Sequence, residues 1–152
     1  MTTEILTAFK DQREDIEEFI LTVNPNHLQF VKLFAERICI DYRYLFIKRR
    51  FRQIVEKRFM VMNAIYTGTH YSLECVGEVF GVDHTSVIHA VATHKDLIST
   101  CDNYRTTYNL ADIHSILSEV YGLESVKAPS VIALQHRPNL KSFIERRLNQ
   151  QP

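Results

Sequence analysis

The sequence predicts an all-α fold, a helical bundle. Three observations carry that expectation. Glycine and proline number only four each in 152 residues, strict apolar alternation of the kind strands need is hard to find, and apolar residues recur at helical spacing between recognisable caps.

The elements follow in order. Ile5, Leu6, Phe9, Ile16, Phe19, Ile20 and Val23 suit an amphipathic helix that breaks or frays among the charges of "DQREDIEE" (11–18), and "VNPN" stops it. A second helix follows Asn26, with Leu28, Val31, Phe34, Ala35 and Ile38 on one face. "CIDYRYLFIKRRFRQ" reads as a turn and a loop. A helical period resumes near Ile54 with Phe59, Met62, Ile65 and Tyr66, and Gly68 in "TGTH" is expected to be its C-terminal glycine.

Ser72 is placed to cap a short helix running through Val76, Val79 and Phe80. Gly81 is the turn, and Asp83 is placed to cap the next helix, whose apolar face is Val87, Ile88 and Val91, flanked by Ala90 and His94. After Cys101 one further helix is expected, with Leu110, Ile113, Ile116, Leu117 and Val120 inward and Gly122 as its stop. "LESVKAPSVIALQHRP" reads as a linker with a short hydrophobic patch. A last amphipathic helix sets Leu140, Phe143, Ile144 and Leu148 opposite Lys141, Arg146 and Arg147. The expected organisation is therefore a helical extension over 1–25, a central domain over 26–122 and a linker with its helix over 123–152.

Bulk properties narrow the class. The length suits one domain with extensions, and 45% hydrophobic with 24% charged residues is ordinary for a soluble globular chain. No apolar run approaches a membrane span and the N-terminus lacks signal-peptide order, so no membrane contact and a cytoplasmic location are expected. Cys39, Cys75 and Cys101 are odd in number and far apart, which reads as buried thiols in a reducing compartment. Net charge is zero, with 18 basic and 18 acidic side chains, yet it is uneven. The stretch "KRRFRQIVEKR" (48–58) holds Lys48, Arg49, Arg50, Arg52, Lys57 and Arg58 against Glu56 alone.

The segment "FGVDHTSVIHA" (80–90) lines up an acid, an imidazole and two hydroxyls at a helix start. A metal site is disfavoured, because His84, His89 and His94 recur every five residues, about 140° past a full turn, whereas one helix face ligates at three or four. No phosphate cradle GxxxxGK[ST] or GxGxxG occurs, and no nucleophile elbow GxSxG, so neither a nucleotide, another cofactor nor catalysis is expected. Asp83, His84 and Ser86 are too close in sequence to form a triad. Two readings remain: a capped helix start with no further role, or the reading head of a helix-turn-helix. The second gains from the helix pair around Gly81, from Gly77, which would let the two helices approach, and from the basic stretch that could neutralise phosphates.

These residues resemble the C-terminal DNA-binding domain of the bacterial replication initiator DnaA, a Trp-repressor-like helical fold. "KRRFR" (48–52), Arg58, "SLECVG" (72–77), "FG" (80–81) and "DHTSVIHA" (83–90) carry the resemblance, which extends over roughly 26–120. It implies duplex DNA as the partner and a role in replication initiation, its regulation or transcription control. By this resemblance Lys48, Arg49 and Arg58 hold phosphates, Arg52 or a neighbour in the loop enters the minor groove, and Arg50 and Lys57 are DNA-binding residues of the same basic stretch. Asp83, His84 and Thr85 would read bases, with Ser86 nearby. Ser72 and Leu73 belong to the first helix of the motif, and Leu73 and Gly77 would support it.

The chain departs from the family at several points. Val82 stands where an arginine is usual in a turn that is here one residue shorter. Ala92 and Thr93 replace Arg-Lys, Glu74 replaces a common proline, and Glu56 an arginine. The family's ATPase domain has no motif here, so a stand-alone reader is expected. The alternative is a protein-interaction module built on a degenerate helix-turn-helix, which would bind a protein partner through its N- or C-terminal helix.

Overall fold

The computed structural model describes residues 2–122. These form seven α-helices and one 3₁₀ turn, with no strand among the described residues: α1 (Thr3–Ile20), α2 (Pro25–Arg37), the 3₁₀ turn (Tyr42–Phe46), α3 (Arg52–Gly68), α4 (Leu73–Glu78), α5 (His84–Thr100), α6 (Asp102–Ala111) and α7 (Ile113–Tyr121). The expected amphipathic helix of Leu140, Phe143, Ile144 and Leu148 lies outside the described residues.

Helix α1 does not break among its charges. Thr2 caps it by accepting from the Ile5 amide at 3.3 Å, and Arg13 pairs with Glu17 one turn on at 3.2 Å. Its continuity comes from burial: Ile5, Ala8, Ile16 and Ile20 form one inward stripe that joins the common core. Leu6, expected inward, falls off that stripe and is 44% exposed. The "VNPN" segment both stops α1 and starts α2, since Asn24 accepts from the Asn26 amide at 2.9 Å and Pro25 is the first helical residue, where its missing N–H costs nothing.

Helix α2 buries His27, Phe30, Val31, Phe34 and Ala35. It ends at Arg37, and just past its Ile38 cap Cys39 takes the left-handed conformation at φ 62° while the Ile40 amide returns to the Ala35 carbonyl at 3.0 Å. Cys39 is therefore exposed, and Cys75 and Cys101 are only half-buried, which corrects the expectation of three buried thiols.

Helix α3 supplies the middle of the core through Ile54, Met60, Val61, Met62, Ala64, Ile65 and Tyr66, and packs most extensively against α5. Gly68 is not a left-handed terminator. It lies within the last turn, and a Cβ there would meet the Leu117 Cδ1 of α7 at 2.6 Å, so this glycine permits close approach of another helix.

The single helix expected after Cys101 is two. Asp112 adopts φ 50°, and Arg37 seals the break by donating to the Ala111 carbonyl and the Ser115 hydroxyl, both at 3.2 Å. The kink lets α7 bury Ile113, Ile116 and Leu117, while Leu110, expected inward, is left 61% exposed.

Candidate nucleic-acid interface

The geometry around Gly81 follows from three local features. Ser72 accepts from the Cys75 amide at 3.2 Å and begins α4, and Asp83 accepts from the Ser86 amide at 2.9 Å and begins α5. Gly81 between them takes φ 69°, a conformation that favours glycine. The Val82 amide donates to the Gly77 carbonyl at 2.9 Å, and a Cβ on Gly77 would lie 2.4 Å from the Val82 carbonyl oxygen. Gly77 thus permits the close approach expected of it, with the turn backbone as its nearest neighbour.

At the start of α5 the side chains divide by face. Asp83, His84 and Thr85 are exposed and Ser86 is half-buried, whereas Val87, Ile88, Ala90 and Val91 are buried. Hydrogen bonding from the Ser86 amide holds the Asp83 carboxyl below its ordinary pKa, so it is an anion and an obligate acceptor at neutral pH. Further along, His94 is buried with its Nδ1 2.6 Å from the Tyr104 hydroxyl, and the His89 ring packs edge-on against Phe59. His84, His89 and His94 do not converge, and no cluster of metal-ligating side chains occurs among the described residues. Ala92, one of the departures from the family pattern, is fully buried, so a longer side chain there would have to displace core atoms.

The basic stretch is split by the structure. Lys48, Arg49 and Arg50 lie exposed in the loop between the 3₁₀ turn and α3. Arg52 is already the first residue of α3, outside that loop, and its Nε donates to Glu56 Oε1 at 2.9 Å. Lys57 is half-buried, donates to the Gln53 carbonyl at 3.2 Å, and has its pKa lowered by burial. Arg58 turns inward, with its Nε donating to the Leu45 carbonyl at 2.6 Å and its Nη2 to the Ile47 carbonyl.

An aromatic cluster brings the exposed part of the loop to the turn. Phe46 lies 5.4 Å from Phe80 and 5.9 Å from Phe19 between ring centroids. Lys48 Nζ lies 5.7 Å over the Phe19 ring, while a Cβ on Gly81 would touch that same ring at 3.2 Å. The Lys48 amide is fixed separately, donating to the Gln12 side-chain oxygen at 2.7 Å. Phe19 and Gln12 belong to α1 and were not among the sequence candidates. Gln12 left one signal, because it is a polar residue on the stripe between Ala8 and Ile16.

Of the remaining candidates, Ser72 is occupied as a cap and Leu73 is buried. The Phe19, Phe46 and Phe80 rings thus link Lys48 to the Gly81 turn that precedes Asp83, His84 and Thr85, with Arg49 and Arg50 following Lys48 in the exposed loop.

Two helices joined by a left-handed glycine, a polar exposed first turn on the second, and a basic loop held beside them define a helix-turn-helix domain, a class that reads DNA. Residues 29–93 match the family model described as the bacterial DnaA protein helix-turn-helix, so this segment is similar to that family's helix-turn-helix. No solved structure matches the chain. No helix among the described residues is long and apolar enough to cross a membrane.

Proposed function

We propose that the chain is a sequence-specific reader of duplex DNA that serves replication initiation, its regulation or transcription control. The first turn of α5 enters the major groove and the loop carrying Lys48, Arg49 and Arg50 lies on the flanking backbone. The observation that carries this reading is the Phe19 ring, which both the Lys48 ammonium and the Gly81 turn approach.

Each exposed side chain has a fitting task. The Asp83 carboxylate can accept from a cytosine amino group, the Thr85 methyl can lie against a thymine methyl, and His84 can donate or accept at a base edge. Lys48, Arg49 and Arg50 neutralise phosphates, and release of their counterions makes binding salt-dependent. Ser86 lies at the edge of this surface, and Arg52 can join it where phosphate competes with Glu56.

Selection of bound duplexes from a random pool tests the reading, followed by titration of the winner and a scrambled duplex at two salt concentrations. A defined motif, bound with steep salt dependence and lost with His84, is the expected result. The second reading, a protein-interaction module on a degenerate helix-turn-helix, draws on the internal partners that occupy Arg52, Lys57 and Arg58. It expects no enriched motif and little salt dependence.

A further inference from the structure

The hydrogen bonds made by the Arg52, Lys57 and Arg58 side chains are not equivalent. Arg52 and Lys57 bond within their own helix, whereas Arg58 reaches across to a different element. The 3₁₀ turn ends at Phe46, and its last carbonyls have no continuing helix to bond them. A guanidinium carries several donors in one rigid plane, so it can hold two such carbonyls at once where an ammonium cannot reproduce the fork. The Leu45 and Ile47 carbonyls flank Phe46, whose ring packs at a tilt against Phe19 and Phe80, and Ile47 immediately precedes Lys48.

We propose that Arg58 is a positioning residue, whose guanidinium fastens the Leu45 and Ile47 carbonyls and so sets where Lys48, Arg49 and Arg50 leave the domain. Its part in DNA binding rests on the duplex-reading function, but its hold on the loop does not. Burial brings the Arg58 pKa down to about 10 and the nearby Arg50 charge adds to the fall, so the side chain stays protonated at neutral pH while being withdrawn from solvent. No ion pair engages Arg58 among the described residues, so the two carbonyls are what compensate its desolvation. Arg50, whose charge is felt at Arg58, remains exposed in the loop above it. The division of labour is one inward arginine that anchors and outward cations that meet phosphate.

The test compares the wild-type chain with Arg58→Met and Arg58→Lys. Amide exchange in the free protein is expected to accelerate about tenfold over residues 47–51 in both variants, while the amides of α5 keep their protection. Should Arg58→Met fail to fold, Arg58→Lys supports the same comparison. On a duplex, Arg58→Lys is expected to lose affinity nearly as Arg58→Met does, since it keeps the charge but not the fork. In a background of Lys48→Ala, Arg49→Ala and Arg50→Ala together, Arg58→Lys should cost nothing further.

Unchanged loop exchange, or full rescue of duplex binding by lysine with a salt slope lowered by about one in the methionine variant, overturns the proposal and makes Arg58 a direct phosphate contact. Faster loop exchange in a protein that binds no duplex upholds the anchoring role and instead defeats the DNA reading.

Discussion

Gly77 and Val82 meet backbone to backbone. The Val82 amide donates to the Gly77 carbonyl at 2.9 Å, and the Val82 carbonyl oxygen stands 2.4 Å from where a side chain on Gly77 would begin. No flexible side chain lies there to yield, so Gly77→Ala must push the turn away from α4. We expect a loss of about 1–3 kcal/mol in urea unfolding. Because the displaced residues directly precede Asp83, duplex affinity should fall as well. An alanine variant of wild-type stability would show that the turn gives way freely.

His94 sets an acid limit on stability. Burial lowers its pKa from 6.5 to about 4, and burial likewise lowers that of His27, whose Nδ1 lies 2.6 Å from the Tyr121 hydroxyl. Between those two values of His94 the unfolded chain binds a proton that the folded chain refuses. Stability is therefore complete above about pH 6.5 and falls as the pH drops towards 4. The His94 contribution is about 3 kcal/mol. Urea midpoints measured from pH 7 to pH 4 should show this decline, and His94→Gln should flatten it, leaving the part due to His27. An unchanged pH profile in that variant would remove His94 as the cause.

Ile16 tests whether α1 belongs to the folded unit. It is 3% exposed and joins the same core as α3 and α5. Ile16→Ala is expected to cost about 2–5 kcal/mol, as at other buried isoleucines. A change of a few tenths would instead describe a helix resting loosely on the surface.

His84 separates reading from folding. Its ring is exposed in the first turn of α5, so His84→Ala should alter stability by no more than about 0.5 kcal/mol. Affinity for the selected duplex should drop by about 1–3 kcal/mol, with binding to a scrambled duplex unchanged. An equal loss on both duplexes would assign His84 to the backbone.

Much of this architecture is legible in the chain because it is local. Ser72, Asp83, Gly81 and Gly122 announce their turns and caps through chemistry that acts within three or four residues, and all four act as expected. The errors fall where distant contacts outweigh local preference. Helix α1 stays continuous because its stripe is buried, and the helix after Cys101 breaks at Asp112 because Arg37, from α2, compensates the kink.

The sequence by itself determined an all-α helix-turn-helix with a polar first turn on its second helix, since periodicity, caps and glycine conformation are properties of short segments. Only the tertiary structure decided where the basic side chains lie. Six cations in eleven positions look alike in sequence, yet packing turns Arg58 inward onto the Leu45 and Ile47 carbonyls and leaves Lys48, Arg49 and Arg50 exposed. The physical reason is that a side chain's partner depends on which distant backbone groups lack one, and those groups are brought near only when α1, the 3₁₀ turn and α3 pack together.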